Sequence, residues 1–448
     1  MKVTGRLAGL AVLLGICLLG VCATPVAAQA AAQGGDSCTG PGQHYTVAEY
    51  NAYTAAANEK SAPAQLKALD DFVAKYPNSC LLNYIYPLYY QNYAAQKNFP
   101  KVVEYSDKML GLRTRLTPGE KYQAYSARAF AFNNTANPDV ATAKAAYDAA
   151  EAGAKSVGDL PKPEGLDDAK WAEQKKQAVL GFNSTAAAAA MAAKDYPSAV
   201  TAYKTVLASN PDDFVANYYL GRAYMAMNPP QTLDAMWSFA RAATSKTANE
   251  KQSKQVKDYL RTTIQRYQGG TVCDALTDAE LNELSQLASS SVDRPASYKL
   301  VSASDLEAAR TNMTIASVFT DLKAGGDKAK LTWTAACGLE FPDVPGKLIE
   351  ITPGADQVDL KLAFVTSEAE FDAKTTADME VKIKTADQPD AAKLEKDSAP
   401  RITGTLESYD PDPAFMLHWD KAKVNPDDLP KEGKKPAAGA KKPAAKKP

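Results

Sequence analysis

Phe99-Pro-Lys-Val-Val-Glu-Tyr-Ser-Asp-Lys-Met-Leu110 lines up, position for position, with Tyr196-Pro-Ser-Ala-Val-Thr-Ala-Tyr-Lys-Thr-Val-Leu207. Each stretch opens on an aromatic residue and a proline, then places apolar residues three and four apart, which makes one face of an α-helix. Proline suits the first turn of a helix, where its missing N–H would have had no intrahelical partner. A stretch that recurs in this way marks a repeated supersecondary unit, and the fold is read outward from it.

The unit after the second copy is the most complete. Leu220-Gly221 and Tyr224 fall on one helix, then Ala235, Phe239 and Ala242 on the next. The preceding unit supplies Ala199, Tyr203 and Val206 before Asn210-Pro211. An earlier one supplies Tyr125, Ala129 and Phe132, followed by Ala143, Tyr147 and Ala150. Gln65, Leu69 and Phe72, ahead of Tyr76-Pro77-Asn78, read as the second helix of a further unit. These residues resemble the L-G-x-x-Y and A-x-x-x-F-x-x-A pattern of tetratricopeptide-repeat (TPR) hairpins. The resemblance covers a little under half the chain and implies four to five hairpins across residues 46–245, in which Gly or Ala permits a close crossing and an aromatic ring fills the space beside it. Two departures stand out: the family's tryptophan is absent, and Pro87 is expected to interrupt the helix that begins near Cys80.

Beyond Thr244 the helical period continues through Asn249–Gln268 and stops at Gly269-Gly270. Thr277-Asp-Ala-Glu280 reads as a capping box, and residues 246–290 as helices that cap the array, whose end needs a polar outer face. Ser304-Asp-Leu-Glu307 reads as a second box, opening a helix toward Leu322 within a connecting helical segment, 291–345. From Gly346 the period changes to two: Leu348/Ile351, Val358-Leu360-Leu362-Phe364, Met379-Val381-Ile383, Ile402–Leu406 and Phe415-Leu417-Trp419 read as five strands. With a tight Asp410-Pro-Asp-Pro413 turn and Gly404 marking a bulge or bend, residues 346–426 resemble a small OB-like β-barrel. Residues 427–448, mostly Lys, Pro, Ala and Gly without period, are expected to be a disordered tail. The fold class expected is therefore mainly α: a TPR-type helical-hairpin solenoid followed by a small β-rich domain.

Lys2 and Arg6 precede an apolar run from Leu7 to Cys22 and a small-residue stretch ending Ala28-Gln29-Ala30, the pattern of a cleaved secretory signal over residues 1–30. A linker, 31–45, follows. Cys22 as a lipid-bearing N-terminus is disfavoured because Val21 stands where the lipoprotein pattern takes a small residue. The mature chain is thus expected in the periplasm or secreted, with no transmembrane helix. In an oxidising compartment its four remaining cysteines allow three pairings. Cys38–Cys80 and Cys273–Cys337 are favoured by their order along the chain.

No catalytic constellation emerges. His44 and His418 lack a recognisable partner, no Gly-rich phosphate loop or G-x-S-x-G is present, and the acidic pairs lie near helix ends, where they serve the helix dipole. With two histidines and no closely spaced cysteines, neither a metal nor another cofactor is expected. The last eighteen residues carry seven Lys and one Glu, a charge of +6 against −9 for the rest of the mature chain, and residues 346–426 hold ten basic and sixteen acidic side chains. An acidic body argues against nucleic acid as a partner, while the tail offers contact with anionic envelope polymers.

The TPR resemblance implies a groove lined by the first helix of each hairpin. The matching positions are Tyr218, Arg222 and Met225, then Ser184 and Met191, and earlier Phe130 and Asn133. Arg222 has two readings: a guanidinium aimed at a partner's carboxylate, or a surface or internal ion-pair residue. The dense cluster Tyr84, Tyr86, Tyr89, Tyr90 and Tyr93 circles most of a helix, so part of it belongs to the core. Together these features point to a non-enzymatic protein- or peptide-binding scaffold of the cell envelope. The alternative is a structural envelope protein whose β-domain and tail contact cell-wall or other anionic material.

Overall fold

The computed structural model describes residue 38 and residues 44–430. The expected secretory signal, most of the expected linker and the expected tail from residue 431 lie outside the described residues. The chain divides into two compact units, Met1–Ser253 and Lys254–Pro448.

Ten helices of the first unit run in sequence: α1 (Val47–Asn58), α2 (Ala62–Lys75), α3 (Leu82–Ala95), α4 (Phe99–Leu110), α5 (Pro118–Asn134), α6 (Val140–Ser156), α7 (Asp168–Ala192), α8 (Tyr196–Ser209), α9 (Phe214–Ala226) and α10 (Thr232–Thr244). Each packs on the next, giving five consecutive hairpins in a solenoid-like arrangement. Thr46, Thr117, Asp139, Asp167, Asp195 and Asp213 accept hydrogen bonds from first-turn amides that the helix itself leaves without partners. Caps of this kind are worth about 1 kcal/mol each. Pro87 does not break α3. The helix runs unbroken from Leu82 to Ala95 with the proline inside its second turn.

The two aligned stretches share more than a pattern. Lys97 and Lys194 both end the preceding helix in the left-handed region, at φ 58° and 61°. The following amides, of Asn98 and Asp195, reach back to the carbonyls of Tyr93 and Ala190 at 2.8 and 2.9 Å, the longer bond of a Schellman turn. Asn98 and Asp195 then cap the next helix through Lys101 N–H and Ser198 N–H, and proline follows two residues later. One turn has been built twice from Lys-Asn-Phe-Pro and Lys-Asp-Tyr-Pro.

Packing within the hairpins depends on missing side chains. A Cβ on Gly221 would lie 2.8 Å from the Phe239 ring and 3.0 Å from the Ala235 carbonyl oxygen. The same device recurs between α6 and α7, where a Cβ on Gly153 would run into the Phe182 ring. Phe182 and Phe239 are fully buried, and alanines at 143, 150, 186, 189, 235 and 242 line the neighbouring contacts. At the start of the array Tyr86, Tyr89 and Tyr90 join the core, with Tyr89 stacked 3.9 Å from Tyr105 and its hydroxyl donating to Asp70 at 2.7 Å. Tyr84 remains 46% exposed. Cys38 is bonded to Cys80 at the head of α3.

Helix α11 (Glu250–Tyr267) spans the division, and α12 (Asp274–Ser290), α13 (Ala303–Thr311), α14 (Ile315–Ala324) and α15 (Gly326–Ala336) belong to the second unit. The Cys273–Cys337 disulfide ties the start of α12 to the end of α15. Of the two capping boxes expected here, the first is absent and the second moves. Helix α12 begins three residues before Thr277, whose hydroxyl bonds back to Cys273 O, and Glu280 is 3% exposed and accepts from Gln268 Nε2 at 2.9 Å. The true box is Ser302 with Asp305, and the helix expected to reach Leu322 is broken after Thr311. The signature Ser/Thr-x-x-acid is short enough to occur inside a helix, where the side chain finds other partners.

Five strands close a barrel: β1 (Glu340–Pro353), β2 (Gln357–Phe364), β3 (Met379–Lys384), β4 (Arg401–Asp410) and β5 (Met416–Val424), in the order β1-β2-β3-β5-β4. A six-residue helix, α16 (Glu368–Ala373), lies between β2 and β3. The alternating residues face inward, with Leu348, Leu360, Leu362, Val381, Ile383, Ile402, Leu406, Leu417 and Trp419 buried together. Val318, Phe319, Leu322, Ala329 and Ala336 of α14 and α15 complete this core. Strand β1 starts earlier than the expected residue 346, because Glu340–Pro345 pairs with β4 despite two prolines and at the cost of a register shift before Val344. The bulge anticipated at Gly404 lies opposite it, on β5, where Lys421 adopts φ 52° and Gly404 makes room for Ala422.

Gly221→Ala should destabilise the first unit by about 1–3 kcal/mol, since the added methyl meets backbone as well as ring. Lys194→Gly should stabilise it by about 0.5–1 kcal/mol by relieving the left-handed lysine. Urea midpoints of the two variants against the parent chain, at unchanged slope, check both. Mass mapping of the unreduced protein should return Cys38–Cys80 and Cys273–Cys337 peptides, and labelling under denaturant should leave these four cysteines unmodified.

Candidate functional site

Helix α9 lies between α8 and α10, so only a narrow line of it stays open. Val215, Tyr219, Arg222 and Ala226, spaced four, three and four apart, are its partly or fully exposed residues, with Met225 half-buried beside them. Arg222 is exposed, its guanidinium 5.7 Å from the Tyr219 ring centroid, and it makes no ion pair among the described residues. Tyr219 stacks in turn on Tyr203 of α8, centroids 6.1 Å apart and nearly parallel. Burial pushes the Tyr203 hydroxyl well above the ordinary phenol range, and the neighbouring Arg222 charge opposes that shift. The outcome is a cation within cation–π range of an aromatic stack, with its N–H fork open to an acceptor.

Tyr218, expected to line this face, does not. It is 6% exposed, with its ring 5.9 Å from Phe239 and 6.2 Å from Phe214. Residues four apart share a helix face only when that face is broad, and a helical side chain leans toward the preceding turn. On this helix the position of Tyr218 is covered by Phe239 of α10 and Phe214 of its own first turn. Tyr219, three residues before Arg222, is the one the sequence reading missed, and the i, i+4, i+7 line of exposed residues is the signal that finds it.

The earlier positions are more enclosed. Ser184 and Met191 are half-buried on α7, where Ser184 Oγ donates to Leu180 O of its own helix. Phe130 packs edge-on against Phe99 at 6.0 Å, and Asn133 Nδ2 donates to Thr185 Oγ1 at 2.9 Å, tying α5 to α7. Asn133 and Phe130 therefore hold hairpins together rather than present themselves to a partner. Of the seven residues, Arg222 and Met225 form the clearest open pair.

The second unit carries its own aromatic strip. Trp333, Tyr409, Phe415, Phe319 and Phe364 follow one another at 4.9, 6.3, 5.8 and 4.4 Å, and Lys323 Nζ sits 4.9 Å from Phe415 and 5.2 Å from Phe319. Trp333, Tyr409 and Phe415 are half-exposed. Lys323 is also bonded to Asp378, whose carboxylate accepts from the Phe364 amide.

His418, which in sequence lacks a recognisable partner, has two. Its Nδ1 lies 2.7 Å from Glu380 Oε2 and its Nε2 2.9 Å from Asp410 Oδ2. Because the carboxylates occupy opposite ring nitrogens, no single ion is held by all three residues. No metal-binding cluster occurs among the described residues, and none of their helices is long and apolar enough to cross a membrane. Compared with protein-family models, with curated proteins and with solved structures, the chain gives no match.

The placement of the two adjacent tyrosines is open to direct measurement. Tyr218→Ala should cost about 3–5 kcal/mol, the price of a large buried aromatic, whereas Tyr219→Ser should cost about 1 kcal/mol. Thermal melts of both variants decide, and equal losses would remove the open stripe from α9.

Proposed function

We propose that this chain is an exported, non-enzymatic scaffold of the cell envelope, a TPR-type array that binds protein or peptide segments along the open stripe of its hairpins. The observation that carries this reading is Arg222: exposed, 5.7 Å from the Tyr219 ring centroid, and free of any ion pair among the described residues. An arginine whose own chain does not neutralise it suits a bidentate contact with a carboxylate, and an aromatic shelf beside it supplies rigid contact area. The secretory pattern at the N-terminus and the two disulfides support a site of action outside the cytoplasm.

A second reading rests on the barrel. Its half-exposed Trp333, Tyr409 and Phe415 beside Lys323 favour a contact made by the β-domain, with the helical array as spacer. The two readings separate in a capture experiment with photo-crosslinking residues at Tyr219 and at Tyr409, each activated in the native compartment. A discrete product from position 219 alone supports the scaffold reading, and one from position 409 alone supports the second.

Arg222→Ala should weaken capture by about 1–3 kcal/mol, a five- to 150-fold loss, and leave the melting temperature within the range of ordinary surface changes. A destabilised variant with unchanged capture would make Arg222 a structural residue and withdraw the groove.

A further inference from the structure

His418 lies where the barrel closes. Strands β3 and β5 form the barrel's parallel pair, and their ladder is the shortest in it: Met379 with Leu417, Glu380 with His418 and Val381 with Trp419. Parallel pairing is slightly weaker per residue than antiparallel. This seam is therefore where the barrel has least backbone holding it shut.

Charge is concentrated at the middle of that short ladder. Glu380, directly across the seam, faces Nδ1, and Asp410, at the end of β4, faces Nε2. Only the imidazolium donates from both nitrogens; a neutral ring would set a lone pair against one carboxylate. Ser408 is the uncharged cross-strand neighbour on β4, while Lys382 and Asp420, next along the outward faces of β3 and β5, are exposed and opposite in sign. Burial by itself favours the neutral ring, but the two carboxylates outweigh it and hold the proton above the usual imidazole range.

We propose that protonated His418 is a charge latch spanning β3, β5 and β4, which keeps the parallel seam closed and loosens it when the ring loses its proton. A group whose affinity for its proton is raised by folding contributes stability that is full below its unfolded pKa of about 6.5 and is lost as the pH rises through the folded value. Loss of the proton removes the bridge and leaves Glu380 and Asp410 without the cation between them. The seam should then open ahead of the rest of the barrel, exposing Leu417 and Trp419.

The test uses the full exported chain, which has two histidines, so that His44→Gln assigns the His418 imidazole signal in a proton NMR titration. Alongside, amide exchange is followed at Leu417, which donates to Asp378 O across the seam at 3.0 Å, relative to Leu360 in β2. The ratio cancels the intrinsic pH dependence of exchange. The expected result is a His418 midpoint above about 6.5 and a relative protection of Leu417 that falls by about threefold or more through that midpoint. In His418→Gln the ratio should be flat. Asp410→Asn, at an exposed position, should lower the His418 midpoint and carry the loss of protection to lower pH with it, and it decides the matter if His418→Gln does not fold. A flat ratio in the parent chain, or the same fall in His418→Gln, overturns the latch.

Discussion

Two helices can approach only as closely as the side chains at their crossing allow, and in the first unit glycine sets that limit. Gly221 gives up its Cβ to the Phe239 ring, and Gly153 does the same for Phe182. The ring that fills the space is itself fully buried, so one residue's absence and another's bulk form a single contact. Adding a methyl would force the ring or the helix backbones to shift. Most of what surrounds these crossings is alanine, which leaves the rings as the main apolar volume there. Because each hairpin packs on the next, a displaced crossing propagates to its neighbours, and the open line on α9 exists only while α8 and α10 stay close on either side.

Much of this was legible locally. The aromatic-proline starts of α4 and α8, the alternation of the five strands and the two cysteine pairings are statements about neighbours or order in sequence, and short-range patterns carry them. What sequence could not carry is what distant residues do to one another. Tyr218 and Arg222 have compatible spacing on a helical wheel, yet the presence of Phe239 decides that one is core and the other is open. The capping box read at Thr277 failed for the same reason: Glu280 turns to Gln268, just past the end of α11, rather than to its own first turn. His418 looked isolated because Glu380 is far away in sequence, and only the parallel closure of the barrel puts them side by side.

Titrating groups of opposite sense occur together in the second unit. Burial raises the proton affinity of Glu280, and paired carboxylates raise that of His418 against burial. By linkage both contribute stability that is present at low pH and lost as pH rises through the folded values. Capping carboxylates act in the opposite sense, since Asp305 and Glu370 are held below the usual range by hydrogen bonds from Ser302 and Thr366. Such a unit balances acid-favoured pairs in its interior and seam against base-favoured caps at its surface.

The doubled turn at Lys97 and Lys194 has a bearing on how the array changes length. Two junctions with the same backbone bonds, the same cap and the same proline are interchangeable ends. Joining the residues up to and including Lys97 to those after Lys194 would rebuild one intact turn and remove a whole number of hairpins, with no new loop to be accommodated. Duplication across the same points would add them. Where each unit touches mainly its neighbours, such a chain can be lengthened or shortened like a ladder by its rungs, keeping its end surfaces while the span between them is reset.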